Sequence, residues 1–131
     1  MSIMSPPARP ILLVEDDFVL RASLAELFAS QGYTVECAAH GLEAFHRLNT
    51  SAVKPAVIVL DLMMPYMDGI EFRALQRALP SVSDIPVVVI TANGRSAVEA
   101  ATLDAKETFY KPVNTWRLLE TIRALAATSR S

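Results

Sequence analysis

Three short segments restrict this chain more than anything else in it: Ile11-Leu-Leu-Val14, Val57-Ile-Val-Leu60 and Val87-Val-Val-Ile90 are apolar at every position. A strand with one wet face alternates, whereas a strand apolar throughout has both faces covered, as in a parallel sheet between two helical layers. Two further segments extend the series. Thr108-Phe-Tyr110 is short and mixed, and residues 33–37 alternate after Gln31-Gly32, which reads as a helix C-cap and turn. Alternation places residues 33–37 at a sheet edge.

Helical patterns lie between these strands. Leu20, Leu24, Leu27 and Phe28 recur at three- and four-residue spacing after the first strand. Others span residues 42–48, 67–79, 96–103 and 115–126, the last opened by Asn114 as N-cap. Regular alternation of strand and helix predicts right-handed crossovers and a doubly wound, flavodoxin-like α/β fold. Five parallel strands with helices on both faces are expected, and 2-1-3-4-5 is the strand order taken for such a fold.

At 131 residues, 52% of them hydrophobic, the chain is long enough for one buried core and short for two. Twelve basic against fourteen acidic residues leave a net charge of −2, so no basic field draws it directly to nucleic acid or an anionic membrane. The only cysteine, Cys37, excludes a disulfide framework and a cysteine-based metal site, and fits a reducing cytoplasm. The N-terminus carries Pro6, Pro7 and Pro10 but no apolar run behind a basic stretch, so neither a signal peptide nor a membrane anchor is expected. Residues 1–9 read as a mobile leader, 10–127 as the domain and 128–131 as a short polar tail.

The chemistry gathers at strand ends. Glu15-Asp16-Asp17 follows the first strand, Asp61 the third, Thr91 the fourth and Lys111 the fifth. In a 2-1-3-4-5 sheet the ligand crevice opens between strands 1 and 3, so Glu15, Asp16 and Asp61 should share it. Clustered carboxylates repel and require a shared proton or a cation. Magnesium, which takes carboxylate, phosphate and water oxygens, is the natural counter-ion. Lys111 adds a point charge and Thr91 a hydroxyl, which together describe a phosphoryl-transfer site with Asp61 as nucleophile. Taken singly, Thr91 equally suits a strand end and Lys111 a solvated surface. Asp17 reads better as the N-cap of the following helix, and Asp68-Gly69 as a turn and helix start. His40 and His46 are assigned no role. Met63, Met64 and Met67 lack a second soft ligand and are read as backbone contact and packing.

The blocks Ile11-Leu-Leu-Val-Glu-Asp-Asp17, Asp61-Leu-Met-Met-Pro-Tyr-Met-Asp-Gly69, Thr91-Ala92 and Lys111-Pro112, in that order, resemble the receiver domain of two-component signalling. The resemblance runs from Pro10 to Ala127. It implies that Asp61 accepts a phosphoryl group from a histidine kinase or histidine phosphotransfer protein. It further implies that Glu15, Asp16, Asp61 and the Met63 carbonyl hold magnesium, that Thr91 and Lys111 contact the phosphoryl group, and that Lys111-Pro112 is cis. The implied protein is cytoplasmic and not a conventional enzyme. Its output is expected through protein contacts on the Arg95–Ala126 face, with a homodimer left open. Two positions depart from the pattern: Thr108 stands where receivers commonly carry an aromatic residue, and Asp104 where glycine is frequent. Tyr110 shares the side of Thr108, and Phe109 faces the other way. Two rival readings are a metal-dependent phosphohydrolase, which lacks a second acid because position 63 is Met63, and an interaction module independent of phosphorylation.

Overall fold

The computed structural model describes residues 9–92 and 103–128. Along the chain run β1 (Ile11–Val14), α1 (Phe18–Ser30), β2 (Val35–Ala38), α2 (Gly41–Thr50), β3 (Val57–Asp61), α3 (Gly69–Ala78), β4 (Val87–Thr91), β5 (Glu107–Tyr110) and α4 (Thr115–Thr128). All strand pairs are parallel, as the apolar runs required, and the order is β2-β1-β3-β4-β5, as expected for the fold. The helix expected over 96–103 lies, apart from Leu103, outside the described residues, as do residues 1–8 and 129–131.

Why three strands are apolar throughout is visible in the packing. Ile11, Leu13, Val57, Val59, Val88 and Ile90 meet Leu24 and Phe28 of α1 and Leu118, Leu119 and Ile122 of α4. Their alternates Leu12, Val14, Ile58, Leu60, Val87 and Val89 meet Ala44 and Leu48 of α2 and Phe72 of α3 on the opposite face. Each strand residue therefore has a helical layer to bury against. The alternating segment supplies β2 at the sheet edge, which starts two residues later than expected, at Val35, and in which only Ala38 is fully buried. Asn114 accepts from the Arg117 amide at 3.1 Å, opening α4 as expected.

The turn between α1 and β2 closes as a Schellman motif: the Gly32 amide reaches the Ala29 carbonyl at 3.0 Å and the Tyr33 amide reaches Phe28 at 3.2 Å. Gly32 has φ +93° and open space where a side chain would stand. The constraint is backbone conformation, not room. Gly32→Ala should therefore lower unfolding stability by about 1 kcal/mol and Gly32→Asn by less. Urea midpoints of the two variants check this.

Candidate functional site

The C-terminal ends of β1, β3, β4 and β5 bring the polar strand-end residues together. Glu15 extends the sheet one residue past β1, its amide donating to the Ala38 carbonyl at 3.0 Å, and its side chain is fully buried. Glu15 Oε2 accepts from the Asp17 amide at 3.0 Å. Asp17 turns away to cap α1, its Oδ1 accepting from Val19 at 2.9 Å and Leu20 at 3.3 Å. That division leaves Glu15 and Asp16 to the crevice. Carboxylate oxygens of Glu15, Asp16 and Asp61 lie within 4.8 Å of one another.

Asp61 is the last residue of β3 and 1% exposed. Its Oδ1 accepts from the Met63 amide at 3.1 Å, which fixes the carboxylate from behind. The loop after it is drawn tight by Gly69: a Cβ there would stand 2.7 Å from the Asp61 carbonyl oxygen and 2.9 Å from Leu62 Cα. Only glycine permits α3 to start that close to the strand end. Asp68 and Glu71 form a capping box that begins the helix there, as the Asp68-Gly69 pair suggested.

Lys111 reaches across from the end of β5. Its Nζ lies 2.9 Å from Glu15 Oε1 and 3.3 Å from Asp61 Oδ2. The Lys111 amide donates to the Thr91 carbonyl at 2.8 Å, tying the last two strand ends together. The Lys111-Pro112 bond is cis, as the resemblance implied. Thr91 ends β4, fully buried, and its Oγ1 makes no hydrogen bond among the described residues.

The electrostatics follow from two buried carboxylates and one ammonium. Burial, then the charge of Glu15, pushes Asp61 up to about 7, against the opposing Met63 hydrogen bond and Lys111 charge. Burial disfavours the Lys111 ammonium, but the Glu15 hydrogen bond and the charges of Asp61 and Glu15 outweigh it and hold the lysine above its usual pKa. The site is short of positive charge even with Lys111 in place. An all-oxygen donor set with excess negative charge, with a buried hydroxyl carrying an unused donor at the end of the neighbouring strand, suits a hard divalent cation and an oxyanion.

Several contributors carry little signal in sequence. Arg21 donates through Nη1 to the carbonyls of Glu15 at 2.7 Å and Asp16 at 3.5 Å, and only its position four residues after Asp17 hints at this. Arg73, 6% exposed on α3, donates to the carbonyls of Leu103 at 3.0 Å and Asp104 at 3.3 Å and to Gln76 Oε1 at 2.7 Å. Asp104 adopts φ +54°, the left-handed conformation that explains why glycine suits that position. His40 caps α2, its Nδ1 accepting from the Glu43 amide at 3.3 Å, and its ring meets Tyr66 edge-on with centroids 5.0 Å apart. On β5, Phe109 is buried in the α1–α4 layer, while Thr108 is half-buried and Tyr110 exposed. The alternation read from sequence therefore holds.

Comparison with known proteins adds independent findings. The family model described as the response regulator receiver domain matches residues 11–123. The chain is 37% identical over 123 residues to the transcriptional regulatory protein CpxR homolog of Haemophilus influenzae, covering 92% of this chain and 52% of that protein. It is 40% identical over 117 residues to the response regulator MprA of Mycobacterium ulcerans, covering 88% and 49% respectively. The solved signal receiver domain of a histidine kinase from Syntrophus aciditrophicus superposes with TM-score 0.86 at 27% identity, over 94% of this chain and 93% of that one. The chain thus spans about half the length of the curated relatives it matches.

Proposed function

This chain belongs to the response regulator receiver family, the phosphoacceptor domains of two-component signalling, and on that premise we propose that Asp61 is the residue that takes the phosphoryl group. The observation that carries the reading is the burial of Asp61 at the end of β3, with the Lys111 ammonium bridging its carboxylate and that of Glu15. Asp61 Oδ1 is occupied by the Met63 amide, so Oδ2, which faces Lys111, is the oxygen better placed to attack.

In the step, an Asp61 oxygen forms a bond to phosphorus. The bond from phosphorus to the donor's imidazole nitrogen, or to the oxygen of a small acyl phosphate, breaks, and its electron pair leaves with the donor. Asp61 must be ionised to attack. Lys111 favours the ionised form before transfer and is the ammonium nearest the new phosphoryl oxygens afterwards. Thr91 offers its unpartnered hydroxyl as a donor to them. Glu15, Asp16 and Asp61 would hold magnesium, with the Met63 carbonyl as a further ligand. When bound, magnesium supplies neutralisation of the carboxylates and of the phosphoryl oxygens.

The family sets the coarse outline of partnership: a histidine kinase or phosphotransfer protein as donor. We assign output to the face running over residues 95–126, of which 103–126 are described. The Haemophilus relative is a transcriptional regulatory protein, so nucleic-acid contact in a longer protein would come through a further domain and not through this one. Among the described residues, no helix is long and apolar enough to cross a membrane.

The test is incubation with magnesium and a small acyl phosphate or phosphoramidate. The expected result is uptake of one phosphoryl group per chain that stops when a chelator is added. Uptake indifferent to the chelator would overturn the assignment of magnesium.

A further inference from the structure

Resting on the site proposed above, we propose that Arg21 is a positioning residue for the acidic pair, holding the β1–α1 loop so that Asp16 and Glu15 present their carboxylates to a divalent cation. Arg21 sits one turn into α1, its amide donating to the Asp17 carbonyl at 2.9 Å. Its guanidinium folds back along the loop, with Nη1 2.7 Å from the Glu15 carbonyl and 3.5 Å from that of Asp16. The Phe18 ring lies against it, 5.5 Å from Cζ to centroid.

Glu15, Asp16 and Asp17 are held in different ways. Glu15 is fixed by Lys111 and the Asp17 amide, and Asp17 by its cap on α1. The Asp16 carboxylate is exposed and accepts no hydrogen bond among the described residues. Its backbone limits where it can stand, and Arg21 is the side chain that holds the Glu15–Asp16 peptide, by the 2.7 Å bond to the Glu15 carbonyl with the longer Asp16 contact beside it. The grip is through carbonyl oxygens, so the guanidinium holds the loop without pairing with the carboxylates the cation needs. Lys111 contrasts with it, lying directly on the carboxylate oxygens.

Charge and positioning predict opposite signs. If Arg21 acted only through its charge, removing it would leave the acidic cluster more negative and cation binding would tighten. If it acts by positioning, removing it frees the loop and binding weakens, since loss of groups that orient ligands typically costs about 10–100-fold in metal affinity. Arg21→Lys separates the two further, because it keeps the charge but lacks the planar fork.

The experiment is calorimetric titration of magnesium into the wild-type chain, Arg21→Gln, Arg21→Lys and Ile122→Val. Ile122 is fully buried in the α1–α4 layer and serves as a control for lost stability. The expected result is binding weakened about tenfold in Arg21→Gln, weakened less in Arg21→Lys, and unchanged in Ile122→Val. Unchanged or tighter binding in Arg21→Gln would overturn the inference, as would equal weakening in Ile122→Val. Absence of magnesium binding in the wild-type chain would instead overturn the proposed function beneath it.

Discussion

Asp61→Asn is expected to abolish phosphoryl uptake and, in the same molecule, to make the metal-free fold more stable. The first effect is the loss of the nucleophile: an amide is a poor attacking group and cannot give the acyl phosphate. The second follows from the raised pKa. Asp61 is pushed up to about 7 in the folded chain against an ordinary 3.8, so the native state binds its proton more tightly than the unfolded state does. The sign for a raised acid is destabilising. The penalty begins as pH rises past the unfolded value, near 4, grows until about 7, and is fully present above that. Asparagine removes the charge and keeps a carbonyl for the Met63 amide. In chelator at pH 8 the variant should gain on the order of 2 kcal/mol, and the fall in stability between about pH 4 and 7 should flatten. Urea midpoints across pH, with phosphoryl uptake measured alongside, check both halves. A variant that folds normally and still takes up phosphate would refute the nucleophile.

Lys111→Met is expected to have the opposite effect on stability. It leaves Glu15 and Asp61 facing each other in a buried site with no cation from the protein. Removing one partner of a buried pair costs about 3–5 kcal/mol in general; with the Lys111 side chain 25% exposed, about 2–4 kcal/mol is expected at pH 8 without metal. Two conditions should return part of that loss. Magnesium restores positive charge at the carboxylates, and lowering the pH protonates Asp61, whose pKa rises further once the opposing Lys111 charge is gone. In the wild-type chain the raised Lys111 pKa contributes stability below the ordinary lysine value of 10.5, and the contribution fades as pH climbs through the higher folded value. Melting temperatures at pH 6 and pH 8, with and without magnesium, separate these effects. Equal destabilisation under all four conditions would mean that Lys111 acts by packing and not by charge.

How much of this was legible in the sequence depended on whether the signal was periodic. The continuous apolar runs at Val57–Leu60 and Val87–Ile90 demanded two covered faces, and the structure supplies α1 and α4 on one side and α2 and α3 on the other. Placing polar residues at the ends of such runs was enough to gather Glu15, Asp16, Asp61 and Lys111, because a parallel sheet aligns its carboxyl ends. Backbone-directed side chains leave no comparable mark. Arg21 and Arg73 both act by donating to main-chain carbonyls, and nothing in residue type distinguishes such an arginine from a solvated one. His40 escaped for the same reason, its cap depending on which ring nitrogen faces the Glu43 amide. Thr108 shows the converse: alternation alone was enough to read its side of β5, opposite the buried Phe109.

The central claim is that the phosphoryl group goes to Asp61, and reductive trapping tests it most directly. Borohydride reduces an acyl phosphate to an alcohol and leaves free carboxylates untouched, so peptide sequencing after phosphorylation locates the bond. Reduction at position 61 alone is the predicted result. Reduction at Asp16 or Asp17, or a phosphoryl group that resists trapping and remains on a hydroxyl such as Thr91, would contradict it.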